Sequence, residues 1–214
     1  MSSDPKQLEA ALQDAELRVE RAGVALRQTH HGGEVDEWRA AIDERTRLQR
    51  ELGLARGEEV AQPFPWSHDW DRGAPMPHVV AASGGVFLVY YLRSGWNGHV
   101  RADDDTDLLA LVNVKGCYCH RFGGPNDEVF DGHPLAQRGL DGYGAFVIEN
   151  SRWVAEHQAI NSVHSRYDPA HWQDRKHYFF AFHDEVFECI AEGFEVEVKQ
   201  SKFVTVLQEL IGQI

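Results

Sequence analysis

The chain has 214 residues, enough for one domain of ordinary size plus an appendage, and at that length a core needs no disulfide staples. Its 34 acidic and 21 basic side chains leave a formal charge of −13, and neither residues 1–62 (13 acidic, 9 basic) nor the remainder carries a basic stripe, which argues against a nucleic-acid partner. Three cysteines (Cys117, Cys119, Cys189) are too few for a secreted scaffold, and no stretch approaches the ~20 apolar residues of a membrane span.

The first twenty residues carry Asp4, Glu9, Asp14, Glu16 and Glu20 and hold no apolar run that could serve as a signal peptide's core, so a cytoplasmic protein is expected. Asp4 and Pro5 suit the start of a helix, with Gln7 where a capping box wants Glu or Gln. Leu8, Leu12, Ala15, Val19, Ala22 and Leu26 then alternate steps of four and three, the narrow seam of a coiled coil. A break is expected at His31, Gly32 and Gly33, and a second helix from about Glu34 or Asp36, with Trp38, Ala41, Ile42, Leu48 and Leu52 on its apolar side and Gly53 or Gly57 at its end. The short connection makes the pair an antiparallel hairpin over residues 1–57, which must pack on the following domain or on a second copy of itself.

Residues 58–77 form a connector in which Pro63, Pro65, Pro75 and Pro77 remove backbone donors while Phe64, Trp66 and Trp70 supply large apolar surfaces. It should lie packed on the sheet. Residues 78–214 then read as a β-rich domain. Strands are predicted at 78–82 and 86–92 around a Ser83-Gly84-Gly85 turn, and at 108–115 with a continuation toward Phe122 after an acidic loop over 94–106. Further strands are predicted near 144–149, 177–183, 186–191 and 194–198, the last three as an antiparallel meander. Helices are expected from Arg152 to about Asn161, as a single turn after Asp168 and Pro169, and from Ser201 onward through Phe203, Val206, Leu207, Leu210 and Ile211. The fold class is α+β, a helical hairpin followed by a mainly antiparallel sheet with flanking helices.

Chemistry can be sought in a short list of places, and the twelve histidines are the compositional feature that points toward it. The stretch from His120 to Leu135 contains Asp127, Glu128, Asp131 and His133, the residue types that bind metals or move protons, although an Ω-loop whose polar side chains satisfy their own backbone reads about as well. His183, Asp184 and Glu185 form a polar turn between two strongly apolar strands, and a carboxylate beside an imidazole orients it and raises its basicity. Cys117, Cys119 and His120 resemble half of a zinc site, but no second pair closes four ligands, so packing is the favoured reading of the cysteines. His157, His164, His171 and His177 lack metalloprotease spacing. The glycines at 139, 142 and 144 suggest a turn or a close packing contact.

The leading expectation is a small-molecule enzyme of the hydrolase or lyase type. Its pocket would be walled by aromatic residues and built from the 120–133 loop and the 183–185 turn. In the metal-assisted version Asp131, His133 and His183 bind a divalent ion (zinc, iron or manganese) and Asp127 or Glu128 is the general base; metal-free acid-base catalysis by the same groups comes next. The rival is a non-enzymatic ligand-binding or interaction module that forms a homo-oligomer through residues 5–52.

Overall fold

The computed structural model describes residues 4–29, 32–93 and 106–212, and the chain divides into two units. One comprises Met1–Gln62, Asp131–Leu140 and Ile148–Ser151; the other comprises Pro63–Phe130, Asp141–Val147 and Arg152–Ile214. The class is α+β: two N-terminal helices, two antiparallel sheets and further helices. The acidic run Asp103, Asp104 and Asp105 and the expected break at His31 lie outside the described residues.

In the first unit α1 (Pro5–Thr29) and α2 (Gly32–Ala55) make the hairpin. The second helix starts earlier than its sequence suggests, because Gly32 and Gly33 already lie within it. The seam works as its spacing implies: Leu8 and Ala15 of α1 are buried with Leu48 and Leu52 of α2, and Ala11, Leu12 and Ala55 pack around them. The end of α2 is a Schellman motif. Gly57 takes φ +68°, its N–H donates to Leu54 O at 3.0 Å, and Glu58 N–H donates to Gly53 O at 2.9 Å. The unit reaches beyond the hairpin, since Arg50 of α2 donates to Ala61 O (3.0 Å) and to Gly139 O (2.7 Å). That reach draws a distant segment of chain into the same unit.

The second unit is built on two sheets. One has β2 (His78–Ala82), β3 (Gly85–Tyr91), β4 (Asp107–Lys115) and β9 (Gly193–Ser201) in the order β2-β3-β4-β9. The other runs β6 (Ala145–Glu149), β7 (Lys176–Ala181), β8 (Val186–Ala191) and β5 (Cys119–Gly123). Beside β6 the chain leaving β1 (Val60–Pro63) adds one further bond, from Phe64 N–H to Ala145 O at 2.8 Å. Strand alternation divides side chains between two faces. Leu88, Tyr90, Ala110 and Val112 from the first sheet meet Tyr178, Phe180, Phe187 and Cys189 from the second in the principal core. On the opposite side of the first sheet Val89 and Leu109 are covered by Val206 and Leu210 of α4 (Phe203–Ile211). The outer side of the second sheet, at Ile190, is covered by Trp153 of α3 (Arg152–Asn161) and by Trp172, from a 3₁₀ turn capped by the Asp168 carboxylate.

Two expectations about connectivity are corrected here. The strand after β4 does not continue to Phe122: Gly116, at φ +58°, turns the chain out of the first sheet, and β5 then pairs with β8 in the second. The meander also breaks, because β9 leaves β8 at Gly193 and pairs with β4 along its whole length. Both crossings happen at one corner, where Glu192 N–H donates to Lys115 O (2.9 Å) and Tyr118 N–H to Ile190 O (2.8 Å). A side chain at position 116 would strike the Glu192 carboxylate, so the corner requires glycine there. The same corner separates two of the cysteines. Cys117 packs in the principal core and Cys119 against the Trp153 cluster.

The connector behaves as its composition predicts. Phe64 and Trp66 pack on the principal core and Trp70 belongs to it. Trp66 is held by its indole N–H, which donates to Tyr90 Oη at 2.9 Å, while that fully buried hydroxyl donates to His68 O at 2.8 Å.

Candidate functional site

β7 ends at Ala181 rather than continuing to His183, and the chain reverses over Phe182–Glu185, with Phe182 N–H donating to Glu185 O at 3.0 Å. This leaves His183 in the turn instead of on the strand face shared by His177 and Phe179. The stretch after β5 is likewise not an irregular loop. It continues into a 3₁₀ turn, Asp127–Gly132, whose first N–H, that of Asp127, donates to His183 O at 3.0 Å. That bond brings together two groups 56 positions apart in the chain.

Around it an acid-base cluster forms. His183 Nδ1 lies 3.0 Å from Asp184 Oδ1 and 3.8 Å from Asp127 Oδ1. A carboxylate only accepts, so the contact with Asp184 puts the proton on Nδ1 and leaves Nε2 as the basic nitrogen of the neutral ring. The hydrogen bond to Asp184 and the charges of Asp184, Asp127 and Glu128 raise the His183 pKa above its ordinary value. Asp127 Oδ1 is buried and has no hydrogen-bond partner, an unusual state for a carboxylate oxygen. The same carboxylate accepts from the Tyr143 hydroxyl, and this bond, with the negative charge behind it, pushes the phenol up to about 12. The rings of Tyr143 and His183 meet edge to face at 5.8 Å.

Tyr143 is the residue that sequence reasoning missed. Its backbone is left-handed (φ +57°), an uncommon state for a bulky side chain, and it is flanked by Gly142 and Gly144. A side chain at Gly144 would collide with the Phe146 ring, whereas one at Gly142 would meet Asp127 only at ordinary contact distance. An aromatic residue between two glycines, already read as a turn, was the available signal.

Tyr143 also lines a cavity of about 230 Å³ together with Phe64, Trp66, Asp69, Trp70, Arg72 and Phe146. Three of its aromatic side chains, Phe64, Trp66 and Trp70, come from the Pro/Trp-rich connector. Arg72 stands over the Tyr143 ring at 5.9 Å, and Asp69 pairs with Arg93 at 3.6 Å.

The remaining expected residues sit differently. Asp131 and His133 belong to the other unit, where His133 Nδ1 accepts the Leu135 N–H at 3.1 Å. Glu128 is exposed and contributes to the His183 environment through charge. Among the described residues no group of three or more His, Cys, Asp or Glu side chains is arranged to hold a metal ion. His157, His164 and His177 serve local structure. His157 packs on Tyr118 and Trp153, His164 Nδ1 accepts Arg166 N–H at 3.1 Å, and buried His177 pairs with Glu188 at 2.9 Å beneath Trp153. Burial pushes the Cys117 thiol up to about 11 and raises Cys119 and Cys189 as well, so all three favour the unreactive protonated form.

With its two antiparallel sheets and flanking helices this is an α+β protein whose cavity and acid-base cluster share Tyr143. Comparison with protein-family models, with curated proteins and with solved structures finds no match.

Proposed function

We propose that this protein is a small-molecule enzyme, a hydrolase or lyase, that moves protons with His183 and Asp127 beside Tyr143, a residue of the lining of an aromatic-walled cavity. The observation that carries the reading is the buried Asp127 Oδ1, which accepts no hydrogen bond although it lies 3.8 Å from an imidazole nitrogen. Leaving such an oxygen unpaired costs on the order of 1–3 kcal/mol, a cost that fits a group kept ready for a proton or a substrate donor. His183 Nε2 is the proton acceptor and, once protonated, the donor. Asp184 is a positioning residue that fixes the tautomer. Tyr143, held protonated by Asp127, gives its single O–H to that carboxylate, so it acts as a positioning residue whose oxygen can accept from a substrate donor.

The test is a panel of ester, amide and β-elimination substrates assayed with wild type and with His183→Asn, Asp127→Asn and Tyr143→Phe. General acid-base catalysis is worth roughly 10² to 10⁴ in rate, so His183→Asn should lose at least about 10²-fold while unfolding as cooperatively as wild type. Turnover that survives both His183→Asn and Asp127→Asn overturns the reading. The metal-assisted version, with Asp131, His133 and His183 as ligands, predicts that a chelator abolishes the same turnover. Ligand binding without turnover across the panel would instead support the non-catalytic module.

A further inference from the structure

Two ionised side chains line the cavity, and they differ in what opposes them. Asp69 is paired with Arg93. Arg72 makes no ion pair among the described residues, and the neighbour of its guanidinium is the face of the Tyr143 ring. Of the two ionised side chains in the lining, Arg72 is thus the one without an ion pair among the described residues, in a protein whose net charge is strongly negative. A guanidinium presents a planar fork of donors that matches a carboxylate in bidentate fashion. Beside it Phe64, Trp66, Trp70 and Phe146 supply flat apolar walls suited to a ring. At the ~30 Å³ each water takes in the liquid, about 230 Å³ holds about eight waters, the scale of one substituted ring.

We infer that the cavity binds a small aromatic carboxylate, with its ring between the connector's aromatic side chains and its carboxylate on Arg72. The inference names the substrate class of the acid-base site proposed above and rests on that reading. A carboxylate on Arg72 sets the ring next to Tyr143, so a bond near the ring lies beside the hydroxyl that Asp127 holds. A cationic ligand would also suit aromatic walls, but the one carboxylate lining the cavity is already paired.

The experiment titrates the full chain with benzoate, benzyl alcohol and benzylamine, following the indole N–H resonances of Trp66 and Trp70. Benzoate should shift both signals and should bind roughly 10- to 100-fold more weakly to Arg72→Gln, the range expected for a charged hydrogen bond, with partial recovery in Arg72→Lys. Equal binding of benzyl alcohol or benzylamine, equal binding to Arg72→Gln, or no shift at millimolar benzoate overturns the inference. The two proposals fail separately. Arg72-dependent benzoate binding with no turnover in the panel overturns only the acid-base reading, whereas turnover that benzoate does not inhibit overturns only the ligand class.

Discussion

Asp127 Oδ1 stands 3.8 Å from His183 Nδ1, and the backbones of the same two residues are joined by a 3.0 Å hydrogen bond from Asp127 N–H to His183 O. One backbone bond thus sets the distance at which a buried carboxylate influences an imidazole. The arrangement makes the titration of His183 an early check on the site.

The raised His183 pKa means that the imidazolium form is favoured in the folded chain. Its contribution to stability is present in full below the ordinary value of 6.5 and is lost as pH rises through the elevated folded value. Titration of the His183 ring by NMR should give a midpoint above 6.5. Asp184→Asn should lower it most, because that residue supplies the hydrogen bond, and Asp127→Asn by a smaller amount. An unmoved midpoint in Asp184→Asn would count against the pairing.

Tyr143 should ionise at about 12, well above an ordinary tyrosine, because Asp127 binds its hydroxyl and opposes a second negative charge. Difference spectra between wild type and Tyr143→Phe isolate this group from the other five tyrosines. In Asp127→Asn the same transition should move toward the ordinary value of 10, since both the charge and the acceptor strength are reduced.

Tyr90→Phe should destabilise the protein by about 0.5–1.5 kcal/mol, the net worth of an ordinary hydrogen bond, because the fully buried hydroxyl is lost while the Trp66 indole N–H keeps its direct bond to His68 O at 3.1 Å. Denaturant unfolding measures the loss. Trp66 also lines the cavity, so the variant should weaken any ligand that contacts this wall, whereas a purely structural defect far from it would not.

Replacing Cys117 and Cys119 together by Ala should cost some packing energy, since each thiol lies against a hydrophobic cluster, and should leave turnover and ligand binding in place. Loss of activity in a variant that still unfolds cooperatively would assign the thiols a chemical role.

Metal analysis of protein purified without a histidine tag separates the two versions of the proposal: turnover that a chelator leaves unchanged, in protein without stoichiometric zinc, iron or manganese, supports the metal-free one. One equivalent of metal, lost in His183→Ala, would revive the metal-assisted reading.

Local patterns in the sequence determined the elements themselves. Phe203–Ile211 is a helix by its apolar periodicity, without a side-chain cap, and β7 and β8 follow from short, nearly continuous apolar runs bounded by a polar turn. The residue types of the site were readable too, since Asp127 and His183 stand out as polar groups beside strongly apolar strands. Pairing was left to the tertiary structure. Alternation records which face of a strand is buried, but backbone donors and acceptors are the same at every edge, so nothing local says that β5 takes the edge of β8 and sends β9 to β4. For the same reason the sequence could group Asp127 with His183 only as candidates, while the folded chain sets their 3.8 Å separation and adds Tyr143 and the cavity that Arg72 lines. Those residues meet only once the connector, the 3₁₀ turn and the β7–β8 turn have packed around one core, and non-local packing of that kind leaves no periodic mark in the sequence.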